Sequence, residues 1–292
     1  MARPSFAALS FGSARAASLG LAPLLVLLLA ACSGTAPLPP RAAQLNRDGA
    51  LALASGDLAT AEARLALAVE YSPRFVEAYV NLGLVELRRG NLDLAYAHFK
   101  KARDLNPDLP APHHALGLLF DQRDLGKDAE ENYRMAIKVD PGFAAARANL
   151  GRRLYQRGAF DDAREQFLRL TEIDAGDAMA WTGLVESLLR LGREGEADDA
   201  LGRAREKLGD RPEIVLLVAR QMLRRGAFDD AEAVLAPLTA DVDHARQGAA
   251  WGFIGVARAG RGDCAGARQA AREALLVDRA DPVARVVLGR CG

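Results

Sequence analysis

The stretch YVNLGLVELRRGNLDLAYAHFKKARDLNP, residues 79–107, decides the architecture, because its landmarks return along the chain at a fixed spacing. Ala95 is one of six alanines set 34 residues apart: Ala61, Ala95, Ala129, Ala163, Ala197 and Ala231. Five residues before them stand Gly56, Gly90, Gly158, Gly192 and Gly226, and four residues after them Leu65, Phe99, Tyr133, Phe167, Leu201 and Leu235. The heptapeptide RGAFDDA occurs twice, at 157–163 and 225–231. Self-similarity at a period of roughly 20 to 50 residues signals a solenoid, whose units bury apolar surface only by stacking on one another.

Tyr79, Leu82, Gly83, Gly90, Ala95, Phe99, Ala102 and Pro107, followed one period on by Leu116, Gly117, Phe120, Ala129, Tyr133, Ala136 and Pro141, resemble the tetratricopeptide repeat. That repeat is a helix-turn-helix, so the resemblance implies an all-α, right-handed superhelical solenoid. Gly83, Gly117, Gly151 and the period alanines are expected where two helices cross closely, with Phe99, Tyr133 and Phe167 filling the gap between neighbouring units. Pro73, Pro107 and Pro141 are expected to stop second helices, since proline lacks the backbone donor that a helix needs.

The array is read as residues 42–292, in about seven repeats: 42–75, 76–109, 110–143, 144–177, 178–211, 212–245 and 248–281. A first helix without its partner, 282–292, caps the stack. In the third copy Asp124 replaces the turn glycine. The seventh copy (Trp251, Gly255, Gly262, Ala267, Ala274) is recovered only after a shift of two residues, which places a small insertion at 237–247.

The first 31 residues read differently. Arg3 and Arg15 precede an uncharged run that contains LLVLLL at 24–29 and is too short for a stable bilayer span, so it reads as an export signal. It ends Leu29-Ala30-Ala31-Cys32, which resembles the lipobox of bacterial lipoproteins. The resemblance implies cleavage before Cys32, acylation of Cys32 and a lipid-anchored protein of the bacterial envelope. The alternative is an ordinary signal peptide with a cysteine near its cleavage site. By similarity to enteric lipoproteins, Ser33 implies transfer to the outer membrane, facing the periplasm. Residues 32–41, with three prolines, form a short stiff tether.

Cys264 and Cys291 lie 27 residues apart in an oxidising compartment. In the repeat geometry the first falls at the turn of the seventh unit and the second near the end of the capping helix, so a disulfide is expected; the alternative is two buried thiols.

Charge is balanced, 38 basic against 38 acidic residues, and steers the chain toward neither nucleic acid nor an anionic surface. No metal-binding, phosphate-loop or nucleophile-elbow spacing is present. His113 and His114 are adjacent and point about 100° apart on a helix, so they cannot share a metal. The chain is therefore expected to be non-catalytic, without metal or cofactor beyond the lipid on Cys32.

By the family resemblance, partners bind on a concave face lined by the second, fifth, sixth, ninth, twelfth and thirteenth residues of each unit. Asn81 and Asn149 fall there, either to grip an extended peptide backbone or to bond within the stack. Leu84, Leu87 and Leu118 make the face apolar toward the N-terminus, while Arg88, Arg152, Arg190, Arg220 and Arg224 add cations, mostly further on. Such a face suits an amphipathic or acidic segment of another envelope protein; the alternative is a solvated surface. The lysine-asparagine clamp of the chaperone-binding subclass is not matched.

The layout is similar to that of the tetratricopeptide pilotins that help type IV pilus secretins assemble. A scaffold for an envelope machine follows from that likeness. The other readings are a regulatory adaptor of a peptidoglycan or peptide-processing envelope enzyme, and a chain that dimerises through the concave face. The sequence leaves the oligomeric state open.

Overall fold

The computed structural model describes residues 37–292; the leader 1–31, Cys32 and the first part of the tether lie outside the described residues. Seven helical hairpins follow one another, and no strand occurs among the described residues. They are α1 (Pro40–Ser55) with α2 (Leu58–Tyr71), α3 (Val76–Arg89) with α4 (Leu92–Leu105), and α5 (Pro110–Gln122) with α6 (Gly126–Val139). The series continues with α7 (Ala144–Gln156) and α8 (Phe160–Ile173), α9 (Ala178–Arg190) and α10 (Glu194–Leu208), and α11 (Pro212–Arg224) and α12 (Phe228–Leu235). After a 3-10 turn, Ala236–Ala240, come α13 (His244–Gly260), α14 (Cys264–Val277) and the single helix α15 (Pro282–Cys291).

The turn chemistry explains where the helices break. Gly56, Gly90, Gly158, Gly192, Gly226 and Gly262 all sit at φ between 73° and 85°, a region that costs an L side chain energy and glycine none. In the third unit Asp124 takes the same turn at φ 58°, the one non-glycine residue with positive φ among the described residues. Aspartate tolerates this because its short carboxylate can bond locally.

Packing follows the small-large alternation. All six period alanines are buried. A Cβ added to Gly83 would stand 2.3 Å from the ring of Phe99, one at Gly117 2.4 Å from Tyr133, and one at Gly49 2.6 Å from Leu65. In the first four units the glycine on the first helix is thus the notch that receives the large residue of its own second helix. Phe167 fills two notches, 3.1 Å from a Cβ at Gly151 and 2.6 Å from one at Gly183, and so ties the fourth unit to the fifth.

A ladder of ion pairs marks the same period. The arginine at the end of a first helix reaches back to an acid on the preceding second helix: Arg89 to Glu62 at 2.8 Å, Arg157 to Glu130 at 2.8 Å, and likewise Arg225 to Asp198 and Arg261 to Asp229. Exposed pairs of this kind contribute about 0–1 kcal/mol each, so they fix register more than they hold the stack together. First helices also touch one another along the series, α1 to α3, α3 to α5, α7 to α9, α9 to α11, α11 to α13 and α13 to α15. This closer inner layer makes the face of first helices the concave one.

The repeat is broken once. The second helix of the sixth unit, α12, runs for only eight residues before Pro237 turns the chain into the 3-10 segment, because the ring cannot continue the α hydrogen-bond pattern. The next first helix, α13, begins at His244 and has 17 residues. At the far end Cys264 is the first residue of α14 and Cys291 the last of α15; their sulfur atoms are bonded and their Cα atoms lie 5.1 Å apart.

Candidate functional site: a cavity on the concave face

Four successive first helices, α7, α9, α11 and α13, with Phe167 and Leu170 of α8, line an open cavity of about 560 Å3. Its wall is mostly apolar: Ala148, Ala178, Ala180, Leu216, Leu217 and Phe253 line it. Met179, 76 % exposed, lines it as well and gives a pliable thioether open to solvent. The space exists because the residues at the crossings are alanine and glycine, and because the lengthened α13 brings Ala249 and Phe253 against the sixth unit.

Four charged side chains stand in this wall, and three are neutralised in place. Glu186 accepts from the Tyr155 hydroxyl at 3.1 Å and pairs with Arg220, one period on. Burial, together with the Glu186 carboxylate, pushes the Tyr155 phenol up, so it stays a donor. Glu213 pairs with Arg246 at 3.0 Å. Arg152 instead donates to the Asn149 side-chain oxygen Oδ1 at 2.9 Å and has no carboxylate within ion-pair distance among the described residues. An occupant that brings one carboxylate to an apolar body would complete the electrostatics of this wall.

Asn149 is itself held from behind, its amide nitrogen 2.8 Å from His114 Nε2. The imidazole lies among aromatic rings, with centroids 5.8 Å from Tyr133 and 5.5 Å from Phe143. Burial lowers its pKa to about 4, so near neutrality it is an uncharged acceptor. The folded protein then binds this proton only near pH 4, whereas the unfolded chain binds it near pH 6.5. Stability from this group is full above pH 6.5 and declines as pH falls toward 4, by roughly 2–3 kcal/mol. Thermal unfolding between pH 7 and 4.5 should show this loss, and His114→Gln, which keeps an acceptor but does not titrate, should lose less over the same interval.

The residues expected on the concave face divide in two. Asn149, Arg152 and Arg220 line the cavity. Asn81, Leu84, Leu87, Arg88 and Leu118 belong to α3 and α5, outside it. Leu84, Leu87 and Leu118 are half-buried against core clusters, while the cavity lies in the fourth to seventh units. The amides also serve the stack: Asn81 donates to Asn46 at 2.9 Å, and the Asn149 amide nitrogen lies 2.8 Å from His114 Nε2, so each spends one donor inside the array. Arg88 bonds the Leu53 carbonyl, Arg224 pairs with Glu194 at 3.2 Å, and the Arg190 guanidinium lies 4.6 Å over the Phe160 ring.

Met179, Thr182, Glu213, Leu216 and Phe253 also line the cavity but were not singled out in the sequence. They occupy the second, fifth and sixth places of their units, positions that the repeat pattern marks as concave, so the signal was present in the period. Among the described residues no cluster of three histidine, cysteine or acidic side chains could hold a metal ion, and no helix is long and apolar enough to cross a membrane. His113, buried at the inter-unit turn, is within 2.9 Å of the Pro107 carbonyl through Nε2, a packing role.

Comparison with known proteins agrees with the architecture. Sequence profiles described as "Tetratricopeptide repeat" match residues 49–110 and 119–188. A tetratricopeptide repeat protein from Parabacteroides merdae superposes with a TM-score of 0.61 over 87 % of this chain and 99 % of its own, at 16 % identity. The pilF protein of Pseudomonas aeruginosa gives 0.58 over 73 % of this chain and 96 % of its own, at 18 % identity. The Cut9-Hcn1 structure of the APC/C gives 0.55 over 92 % of this chain and 45 % of its own, at 15 % identity. No curated protein matches. The two matched stretches and the stacked hairpins make the fold an all-helical solenoid of tetratricopeptide repeats.

Proposed function

We propose that this chain is a non-catalytic scaffold, anchored to the outer membrane of a bacterial envelope through an acylated Cys32, whose concave cavity holds a segment of another envelope protein during assembly or localisation of an envelope machine. The observation that carries the reading is the cavity of about 560 Å3 across α7, α9, α11 and α13, apolar inside and carrying one arginine without a carboxylate. An amphipathic or acidic segment fits it: an aliphatic or aromatic side chain enters between Leu216 and Phe253, and a carboxylate meets Arg152. The lipobox-like Leu29-Ala30-Ala31-Cys32 supports the anchor, and the layout of lipobox and repeats, similar to that of the tetratricopeptide pilotins, supports pilus secretin assembly as the machine concerned.

The test is the double variant Arg152→Glu with Arg220→Glu. Both side chains are exposed, so the fold should persist, while like charges now face both Glu186 and an incoming carboxylate. Loss of a charge-assisted hydrogen bond is worth about 1.5–3 kcal/mol, so binding of the partner should weaken on the order of tenfold or more. Circular dichroism should remain that of the parent. Equal pull-down yields from parent and variant would exclude this cavity as the binding site.

A further inference from the structure

The fourth residue of each unit recurs at one place near the start of its first helix. Leu45, Tyr79, His113, Arg147, Trp181 and Trp251 hold this place, and Arg285 holds it in the last helix. Trp181 fills its place most fully. Its ring is 2 % exposed and packs in one cluster with Leu184, Ala200 and Ala204. Nε1 donates to the Ala175 carbonyl at 3.0 Å, and the Arg203 guanidinium lies 5.3 Å over the ring. His113, Arg147 and Arg285 bond the corresponding carbonyls of Pro107, Pro141 and Arg279 at 2.9, 2.9 and 3.1 Å.

In the sixth unit this place is held by Val215, which is neither bulky nor a donor. The residues one period on from the surroundings of Trp181 are Ile214, Val218, Val234, Pro237 and Leu238. Together with Val215, Arg205 and Asp210 they bound a cavity of about 300 Å3. The helix that would have closed it stops at Leu235 and turns into the 3-10 segment. Val215 and Val234 are only partly buried and Pro237 is exposed, so the cavity opens to solvent. It is separate from the concave one: α11 contributes Leu216, Leu217 and Arg220 to the concave cavity, and Ile214, Val215 and Val218 to this one.

We propose that this second cavity is a docking site for a single aromatic side chain, of the tryptophan type, carried by a partner protein. The guest ring takes the place that Trp181 fills from within the chain one unit earlier. Arg205 in the wall, paired with Asp210 at 3.8 Å, puts a cation beside the cavity as Arg203 puts one over Trp181. Arg205 and Asp210 satisfy each other and the rest of the wall is apolar, so an apolar ring is favoured over a charged side chain, whose desolvation would cost more than this wall returns. A partner that engages both cavities would gain avidity without further contacts.

The experiment measures thermal shifts of the full chain with N-acetyl-tryptophanamide, N-acetyl-leucinamide and indole, in the parent and in Val215→Trp and Val215→Phe. The expected result is a saturable rise in Tm with N-acetyl-tryptophanamide, with affinity on the order of millimolar. The leucine amide should give no such rise. Val215→Trp should itself raise Tm and abolish the response; if it does not fold, Val215→Phe should reduce the response. Met179→Glu, at the exposed lining of the concave cavity, should leave it intact. The absence of a saturable shift, an equal shift with the leucine amide, or an undiminished response in the filled variants would overturn the proposal. A response to indole alone would assign the cavity to a free small aromatic molecule and overturn docking of a partner's side chain.

Discussion

Phe99→Ala should cost about 3–5 kcal/mol of folding free energy, the range for deleting a buried aromatic ring when the surroundings relax only in part. The ring is fully buried, fills the notch left by Gly83, and packs with Val76, Val80, Ala95 and Leu116 across the junction of the second and third units. In a stack each unit touches only its neighbours, so the loss divides the array at this point and does not lower every unit equally. Urea unfolding should therefore broaden or split, with the first two units melting before the remainder. Leu94→Ala, on the same helix but 55 % exposed, should change stability by less than about 0.5 kcal/mol. A single unshifted transition for Phe99→Ala would mean that the interlocking of ring and notch does not hold the stack.

Removing the Cys264–Cys291 link is expected to have the next largest effect. The bond closes a loop of 27 residues between the start of α14 and the end of α15. Restricting the unfolded chain over a loop of that length is worth about 3 kcal/mol by loop-closure entropy. The helix it holds covers Ala267, Ala271 and Ala274 through Ala284 and Val287, a cluster of small side chains with modest apolar area. Without the bond, α15 should open locally while the earlier units stay folded. Hydrogen exchange should show this as loss of protection in residues 282–291 of the double serine variant or the reduced protein, with α3 to α9 unchanged. Equal protection with and without the bond would show that the apolar contacts alone suffice.

Much of this fold is legible in the sequence, because a repeat states each rule several times over. The glycine turns, the aspartate that substitutes for one of them, the buried period alanines and the large residue four places on all follow from sterics that recur in every unit. The disposition of Cys264 and Cys291 follows from the same register. The concave cavity was only partly legible. Its positions are given by the period, but its depth depends on how neighbouring units splay, which Gly183, Phe167 and the lengthened α13 determine jointly.

The polar residues were harder to assign. Asn81 and Asn149 look equally suited to a ligand or to the stack when read singly, and only the placement of Asn46 and His114 one unit earlier decides that their amides bond inward. The arginines raise the same difficulty, since Arg220 and Arg224 find acids on neighbouring units whereas Arg152 finds none. Val215 is the opposite case. It reads as an ordinary apolar residue, and its consequence is visible only when the cavity is set beside the space that Trp181 occupies.

The most direct test of the account is photo-crosslinking in living cells from a reactive residue at Leu216, inside the concave cavity, compared with one at Leu94 on a second helix. The account predicts that one envelope protein is captured from position 216 and not from position 94, and that the capture fades in the Arg152→Glu, Arg220→Glu background. No capture from position 216, or the same captured species in equal yield from both positions, would contradict it.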